Sequence, residues 1–402
     1  MMGDSKNVCG VPRPCPVCGG EAARRLFMNR MAPCAGYDFS APIVQCAACG
    51  AAYAGTALPP QDLNRYYANF SKYDIISSAS EVSSLDRNRA AMTTTFLAPI
   101  MGSIGSALDV GCSAGFLLST LRAAGIARVQ GIDPAAQAAD VARSLFDVEV
   151  ARAQAETYDR YGNFDLVCLM AVFEHLLEPR ALLKAVARQL QPNARVLIEI
   201  PDAGAFDRPD TSEPLEPFGE FSNEHINFFS IGDIRKLAHG VGLEVERWKT
   251  VRHNGPPGLF ALLKKADPLP RLPDPDPGST PGRVSSVAAM AQYVAKSQLV
   301  MQDVERRLVE FRRSTVLLYG AGNHTCRLMA QSPALLNCRV AAVFDRNQHL
   351  HGMTIGNAQI RPPSSVHEYP ELPIIVSTFT ASRDVQTTLK AATAQPVVPL
   401  YN

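Results

Sequence analysis

The sequence predicts an α/β protein built from a small cysteine-rich N-terminal domain and two α/β domains. Three observations carry this prediction: two Cys-x-x-Cys pairs near the start, two series of apolar runs that alternate with helical segments, and a proline-dense stretch between the series. Strands that alternate with helices indicate a parallel sheet covered on both faces. The predicted boundaries are 1–58 for the cysteine-rich domain, 59–265 for the first α/β domain, 266–283 for a linker and 284–402 for the second α/β domain.

Length and composition limit the class of protein. A chain of 402 residues, 47% of them hydrophobic and 19% charged, can build several cores and is not intrinsically disordered. The formal net charge of +1 argues against a large basic surface, so no nucleic-acid partner is expected. The first residues lack the apolar segment of a signal peptide, and no apolar run reaches the length of a membrane span. We therefore expect a cytoplasmic protein that does not enter a membrane and keeps its ten cysteines reduced.

The cysteine pairs form the first candidate site. The stretches CPVCGG and CAACGA contain Cys15 with Cys18 and Cys46 with Cys49, and each pair is followed by glycine. Zn²⁺ prefers four tetrahedral ligands, and each pair can present two thiolates from one tight turn. Redox-active or incidental cysteines are the alternative, but two matching pairs favour a zinc ribbon. Because the protein supplies all four ligands, the predicted zinc site is structural and not catalytic.

The first α/β domain opens with a polar, helical lead-in over 59–97. Five strand-like runs follow, and they are ALDVG, VQGID, SLFDVEVAR, DLVCLM and RVLIEIP. Between the last two, ALLKAVARQLQPN has apolar residues at helical spacing and a proline just past its end, which predicts a helix. This succession predicts a Rossmann-like sheet.

The first strand leads into a candidate ligand site. In ALDVGCSAGFLLSTL, Gly111 and Gly115 allow the backbone to approach a ligand, and the following helix N-terminus favours a carboxylate or phosphate. Asp133 ends the next strand, where a carboxylate can bind both ribose hydroxyls, and Gln154 can reach an adenine edge. Asp109, on the strand before the loop, completes the expected cofactor site. A NAD enzyme and a fold that has lost its ligand are the alternatives.

The succession over 107–263 resembles the class I S-adenosylmethionine-dependent methyltransferases. The resemblance implies that the glycine loop holds the methionine moiety of S-adenosylmethionine, that Asp133 binds its ribose and that Gln154 lies near its adenine. The chain departs from the family at two positions. Ser113 stands where a middle glycine is usual, and Gln154 stands where an aspartate is common.

Three further stretches resemble the sugar C-methyltransferases that act on nucleotide-linked keto-deoxysugars. They are the paired CPVCG and QCAACG, the segment YYANFSKYDIISSAS, and NEHINFFS with its adjacent Glu224 and His225. The resemblance implies a small-molecule acceptor, a nucleotide-linked sugar that is methylated on the carbon beside its ketone. Such a reaction needs a base, and histidine suits this task near neutral pH. We expect His225 to be the base and Glu224 to orient its ring or stabilise its charged form.

Other features leave alternatives open. The family favours a tyrosine just before its Glu-His pair, whereas this chain has Ser222 and Asn223. A second pair, Glu174 and His175, follows the fourth strand, and we expect it to be architectural. An O- or N-methyltransferase acting on a glycan or natural product is a competing function. An RNA methyltransferase, which the near-neutral charge disfavours, and a non-enzymatic assembly protein are two more.

The C-terminal domain begins with a helix predicted around 284–312. It continues with the strand-like runs TVLLYGAG, RVAAVFD, LPIIVST and QPVVPL. Gly320 and Gly322 precede a helix and Asp345 ends the next strand, an arrangement that could hold a dinucleotide. Thr325 stands where the third glycine of that fingerprint belongs. We therefore expect a scaffold that closes over the substrate and not an independent cofactor site.

Overall fold

The computed structural model describes residues 8–69, 82–135, 137–208, 216–252, 257–267, 286–379 and 382–401. The linker predicted at 266–283 lies outside these ranges except for its first two residues, as does most of the segment YYANFSKYDIISSAS. The strands of the described ranges form sheets of four, seven and six strands and two short two-stranded ladders. In this part of the chain, no helix combines the length and the apolar character that a bilayer crossing requires.

The N-terminal unit is an all-β structure around the cysteine pairs. Its strands are β1 (Val8–Cys9), β2 (Val11–Pro12), β3 (Ala23–Asn29), β4 (Tyr37–Asp38), β5 (Ala41–Cys46), β6 (Ala52–Ala54) and β7 (Thr56–Ala57). Strands β3, β5 and β6 are antiparallel neighbours. The two cysteine turns end at Gly19 and Gly50, whose φ angles of 76° and 80° lie in the left-handed region that favours glycine.

The central unit is a seven-stranded sheet in the order β10-β9-β8-β11-β12-β15-β14. Its strands are β8 (Ser106–Val110), β9 (Arg128–Asp133), β10 (Glu149–Arg152), β11 (Leu166–Met170), β12 (Arg195–Pro201), β14 (Leu243–Arg252) and β15 (Pro257–Lys265). Strands β8 to β12 pair in parallel, and β15 runs antiparallel between β12 and β14. Because helices cover both faces, β11 is buried along its whole length. The predicted Rossmann-like sheet is therefore confirmed.

Among the residues that the structure describes, six α-helices flank this sheet or precede it. They are α1 (Pro60–Asn69), α2 (Ser84–Leu97), α3 (Phe116–Ala123), α4 (Ala138–Val141), α5 (Pro179–Gln189) and α6 (Ile231–His239). Helix α5, which the spacing of ALLKAVARQLQPN predicts, begins with Pro179 at its first turn and buries Leu182, Leu183 and Val186 in the main core. Helix α6 begins at a capping box in which Ser230 and Asp233 satisfy each other's backbone amides.

The C-terminal unit is a six-stranded sheet in the order β18-β19-β17-β16-β20-β21. It contains α7 (Ser286–Leu308), β16 (Thr315–Tyr319), α8 (Asn323–Gln331), α9 (Pro333–Leu336), β17 (Arg339–Phe344), β18 (Thr354–Ile355), β19 (Ala358–Arg361), β20 (Ile374–Val376), α10 (Ser382–Ala392) and β21 (Val397–Pro399). All its pairs are parallel except β18 with β19. The four predicted strand runs correspond to β16, β17, β20 and β21.

Backbone contacts join the three units. Strand β13 (Asn227–Phe228), which follows the Glu-His pair, is antiparallel to β6 and becomes the edge strand of the N-terminal sheet. Cys34 forms an isolated bridge with Ile355, and the Ala32 amide donates to the Cys326 carbonyl at 2.8 Å. The Glu-His pair is thus held by the N-terminal unit, although it lies far from that unit in sequence.

Candidate functional site

A cavity of about 780 Å³ opens beyond the carboxyl ends of β8, β9, β10 and β11. The strand order reverses between β8 and β11, which is where open α/β sheets bind ligands. Three predicted cofactor residues, Gly111, Asp133 and Gln154, line this cavity together. Its far wall comes from α1 and from residues 11–14, and Glu224 and His175 complete it.

The glycine loop after β8 forms the floor of the cavity. Gly111 has a φ of 76°, and a Cβ atom there would lie 2.6 Å from Val172 Cγ2, so the position requires glycine. Ser113 has a φ of 53°, and its backbone amide donates to Asp133 Oδ2 at 2.8 Å. Ser113 thus adopts the left-handed conformation that a glycine would take easily, so the loop keeps its course.

Asp133 is held by backbone amides on both sides. Its Oδ2 accepts from Ser113, and its Oδ1 accepts from the Ala135 amide at 2.8 Å. Each carboxylate oxygen has a second lone pair, so two ribose hydroxyls can still be bound. Burial raises the pKa of Asp133 above its usual range, while the backbone amides oppose that change.

Two other predicted cofactor residues lie outside the cavity lining. Asp109 is buried beneath the glycine loop, and its Oδ1 has no hydrogen-bond partner among the described residues. Burial, followed by the charge of Asp133, raises the pKa of Asp109 to about 8. Gly115 caps α3 with a φ of 78°, and a Cβ atom there would lie 2.5 Å from Val148 Cγ2. Asp109 and Gly115 therefore help to hold the glycine loop in place but do not line the cavity.

The opposite wall carries a polar network around Glu224. The Tyr66 hydroxyl donates to Glu224 Oε1 at 2.9 Å, and Asn223 Nδ2 donates to the Tyr66 oxygen at 3.1 Å. Burial, followed by the charge of Glu224, raises the pKa of Tyr66 well above its usual value. Glu224 therefore shares the cavity with the cofactor residues, and its carboxylate accepts from a tyrosine 158 positions earlier.

The two Glu-His segments are bound to each other. His175 Nδ1 lies 3.0 Å from the Glu224 carbonyl oxygen, and the Ile226 amide donates to the Glu174 carbonyl at 2.9 Å. The imidazole rings of His175 and His225 meet edge to face with centroids 5.1 Å apart. This contact places His175, which we expected to be architectural, in the wall of the cavity.

His225, which we expect to be the base, lies behind this wall and does not line the cavity that contains the cofactor residues. Its Nδ1 lies 3.2 Å from the Glu220 carbonyl oxygen, and its side chain lines a small neighbouring cavity of about 20 Å³. The two cavities share Ala57, Leu58 and Leu63. The physical reason is that the chain bends at Glu224, before β13 begins, so that the Glu224 carboxylate accepts from Tyr66 on the cavity side while His225 Nδ1 lies at the Glu220 carbonyl.

The N-terminal unit contributes a wall that the sequence did not predict. Arg13 lines the cavity, and its guanidinium donates to the Leu177 carbonyl at 2.9 Å and stacks over the Tyr53 ring at 5.8 Å. Burial lowers the pKa of Arg13 to about 10. In the sequence, the one indication that Arg13 has a fixed position is that it lies two residues before Cys15, next to the first cysteine turn.

The loop before Glu224 is anchored by the C-terminal unit. The guanidinium of Arg327, on α8, donates to the Phe221 carbonyl at 2.7 Å and to Asn29 Oδ1 at 2.5 Å. Asn323 Oδ1 accepts from the Asn223 amide at 3.3 Å. The predicted third-glycine position, Thr325, is buried and bonds to the Gly320 carbonyl and to a serine hydroxyl, both at 2.5 Å.

The C-terminal glycine loop repeats the acid contact of the central sheet. Asp345 Oδ2 accepts from the Ala321 amide at 2.6 Å, and its Oδ1 accepts from the Asn347 amide at 2.7 Å. Asp133 accepts an equivalent pair of hydrogen bonds, one from the backbone amide of Ser113 in its glycine loop and one from the backbone amide of Ala135. Neither of the two cavities described above is lined by Gly320, Gly322 or Asp345.

The four predicted metal ligands come together in space. Cys15 Sγ lies 3.5 Å from Cys49 Sγ, Cys18 Sγ lies 3.5 Å from Cys46 Sγ, and all four sulfurs lie within 4.8 Å of one another. Zinc–sulfur bonds of about 2.3 Å in a tetrahedron require sulfurs about 3.8 Å apart, which this arrangement fits. The Gly20 amide donates to Cys18 Sγ at 3.4 Å, as expected for a thiolate held in a tight turn.

The fold and the cavity define an α/β protein whose ligand site lies at the switch point of a Rossmann-like sheet, and comparisons identify its family. A family model described as a methyltransferase domain matches residues 83–247. The ubiquinone biosynthesis O-methyltransferase of Neisseria meningitidis serogroup C is 34% identical over 176 residues, which are 40% of this chain and 72% of that protein. The enzyme of the same name from Thiobacillus denitrificans is 28% identical over 183 residues, or 42% of this chain and 77% of that protein.

Among solved structures, the magnesium protoporphyrin IX methyltransferase of Synechocystis PCC 6803 with bound SAH is 15% identical. It covers 52% of this chain and 100% of its own, with a TM-score of 0.40. On the strength of the family model and the Neisseria relative, the chain belongs to the class I S-adenosylmethionine-dependent methyltransferases. It is a methyltransferase enzyme with additional units on both sides of the matched domain.

The cavity fits the cofactor of this family. The glycine loop requires glycine at Gly111, and its Ser113 amide donates to the Asp133 carboxylate, which keeps lone pairs for ribose hydroxyls. Gln154 lines the same space and can hydrogen-bond an adenine edge. The volume of about 780 Å³ lies within the range of ligand pockets.

Proposed function

We propose that the protein transfers a methyl group to the α carbon of a nucleotide-linked keto-deoxysugar. The observation that supports this proposal is the set of ionisable side chains that share one cavity with Gly111 and Asp133. Tyr66, Glu224 and His175 line that cavity, with His225 directly behind His175. A reaction that must first remove a carbon-bound proton needs such groups next to the methyl donor.

The chain's own residues then have distinct tasks. When bound, S-adenosylmethionine supplies an electrophilic methyl group. A histidine takes the proton from the α carbon, and the electron pair of the broken C–H bond forms an enolate. The enolate carbon bonds to the methyl carbon while the electron pair of the S–CH3 bond stays on sulfur, which leaves as the thioether S-adenosylhomocysteine. Tyr66, with its hydroxyl on Glu224, supplies a hydrogen-bond donor that can turn toward the enolate oxygen.

Two histidines are candidates for the base. His225 is the candidate that the sequence resemblance supplies, and His175 is the one whose side chain lines the cavity. The Nδ1 atom of each lies within 3.2 Å of a backbone carbonyl oxygen, so an N–H at that position leaves Nε2 as the basic nitrogen of each ring. The base is therefore assigned to this histidine pair.

A second candidate function is O-methylation. The relatives that match the central domain are named O-methyltransferases, and in such a reaction the same base removes a hydroxyl proton. The acceptor would then be a hydroxyl of a glycan or natural product.

One experiment separates the two functions. The enzyme and S-adenosylmethionine are incubated with a panel of nucleotide-linked keto-sugars in heavy water, and the products are examined by mass spectrometry and carbon NMR. C-methylation predicts a new carbon-bound methyl signal and deuterium exchange at the α position in the unreacted sugar. An oxygen-bound methyl signal without exchange would replace the first proposal with the second.

We further propose that the four cysteines hold a structural Zn²⁺ and that the C-terminal unit is a scaffold for the Glu-His loop. The sulfur geometry supports the first proposal, and the contacts of Arg327 and Asn323 support the second. Titration with NADH and NADPH tests the second proposal, because submillimolar binding would show an independent cofactor site.

A further inference from the structure

Glu174 is the most buried carboxyl group near the proposed base. It is 2% exposed, and its Oε1 lies 3.9 Å from His175 Nε2. Its Oε2 has no hydrogen-bond partner among the described residues. A buried carboxyl oxygen without a partner is costly unless it has a function or holds a proton.

Both histidines of the proposed base lie close to this carboxyl group. One carboxylate oxygen of Glu174 and one ring nitrogen each of His175 and His225 all lie within 4.8 Å of one another. The Glu224 carboxylate, which we expected to support His225, accepts from Tyr66 on the cavity side. The geometry therefore offers Glu174 as the carboxyl partner that the histidine pair requires.

We propose that Glu174 and the two histidines share a proton, and that the Glu174 carboxylate stabilises the imidazolium formed when a histidine takes the acceptor's proton. This inference rests on the proposed function, which makes a histidine the base. Glu174 does not line the cavity, so it acts as a positioning residue through His175 and His225. Its Oε1 lies on the Nε2 side of His175, so the proton that Nε2 takes up is the one that the carboxylate shares.

Charged and polar side chains around Glu174, His175 and His225 affect which of the three groups holds the shared proton. Arg89 of α2, which forms an ion pair with Glu199 of β12 at 3.3 Å, faces Glu174 together with Glu220. Tyr67 of α1 packs against the His175 ring, and Asp38 lines the small cavity that contains His225. Burial first, and Glu199 next, raise the pKa of Glu174 well above its usual value, so the carboxyl group gains a proton more easily than an exposed one.

The test compares Glu174→Gln with Asp233→Asn, a control at a similarly buried carboxyl group outside the three-group cluster. Histidines labelled with carbon-13 are titrated by NMR in the full-length protein, and His175→Ala and His225→Ala assign the two signals. Glu174→Gln removes the negative partner of an imidazolium, so at least one of the two midpoints should fall by about one pH unit. The control should leave both midpoints unchanged, and calorimetry of S-adenosylmethionine binding checks that each variant is folded.

Unchanged midpoints in Glu174→Gln would overturn the shared proton, whatever the reaction proves to be. With the acceptor from the keto-sugar panel, the acid limb of kcat/KM should also move to lower pH, and Glu174→Asp should restore it toward the wild type. A uniform loss of rate without such a shift would reduce Glu174 to a structural residue. If the midpoints shift but neither histidine variant loses turnover, the proposed base fails while the Glu174 coupling stands.

Discussion

Tyr66 and Glu224 are joined by a hydrogen bond of 2.9 Å across the cavity wall, although 158 positions separate them. The bond links α1, in the lead-in to the methyltransferase sheet, to the loop that enters the N-terminal sheet through β13. It forms the polar end of a cavity whose other end is the cofactor loop. Four predictions concern this cavity and the parts of the fold that support it.

Tyr66→Phe should reduce turnover about tenfold while S-adenosylmethionine binds normally. The variant removes the donor to Glu224 but keeps the ring that packs against Tyr37 and Phe39. Steady-state kinetics and calorimetry measure the two effects. Tyr161→Phe, at a half-buried tyrosine outside the cavity lining, serves as the control. Equal turnover in Tyr66→Phe and the control would remove Tyr66 from the site.

His225→Ala should bind S-adenosylmethionine almost normally and lose at least about a hundredfold in turnover, which is roughly the contribution of a general base. Deuterium should also stop entering the α position of the acceptor. His175→Ala, measured in the same way, decides which histidine takes the proton. If both variants turn over at nearly the wild-type rate, the base lies elsewhere, and Glu224 is then the next group in the cavity to test.

Asp133→Ala should abolish measurable S-adenosylmethionine binding in calorimetry, because the variant loses both the ribose contact and the acceptor of the Ser113 amide. Asp345→Ala is a matched control, since Asp345 holds its own glycine loop through the same two kinds of bond. The control should bind the cofactor like the wild type. Full binding by Asp133→Ala would contradict the proposed cofactor site.

Glu220→Gln should raise the melting temperature at alkaline pH. Burial first, and Glu216 next, raise the pKa of Glu220 from 4.5 to about 8, and its Oε2 has no hydrogen-bond partner among the described residues. A carboxyl group with a raised pKa contributes its full stability below the unfolded value and loses it as the pH rises through the folded value. The variant should therefore match the wild type near pH 4 and exceed it near pH 9 in thermal denaturation. A constant difference across this range would show that the carboxyl group is not protonated in the fold.

The fold of the central domain followed from local patterns. The alternation of apolar runs and helical segments predicted β8 to β12, and Gly111, Asp133 and Gln154 were predicted as neighbours because parallel strands end at one edge of a sheet. The contacts that complete the cavity depend on long-range packing, and the local spacing of apolar residues does not predict such contacts. Arg13 and Tyr66 reach it from other units, and His175 enters its wall through the carbonyl of Glu224.

The prediction that His225 is the base is limited in the same way, because the orientation of its side chain depends on long-range packing. The sequence placed two ionisable residues side by side, but which of them faces the cavity depends on long-range contacts of their loop, such as the bond from Tyr66 to Glu224 and the pairing of the following β13 with β6. That pairing joins residues 227–228 to residues 52–53, and no turn motif or residue spacing in the sequence predicts it.

The β13–β6 pairing also limits how the enzyme can be recombined with its relatives. A chimaera that exchanged only the methyltransferase sheet would import a Glu-His loop without the strand on which it ends. The unit that preserves this pairing is therefore discontinuous and comprises residues 8–57 and 216–228, with α8 as their common support through Arg327. A chimaera that is to keep the Glu-His loop in place must therefore exchange these segments together.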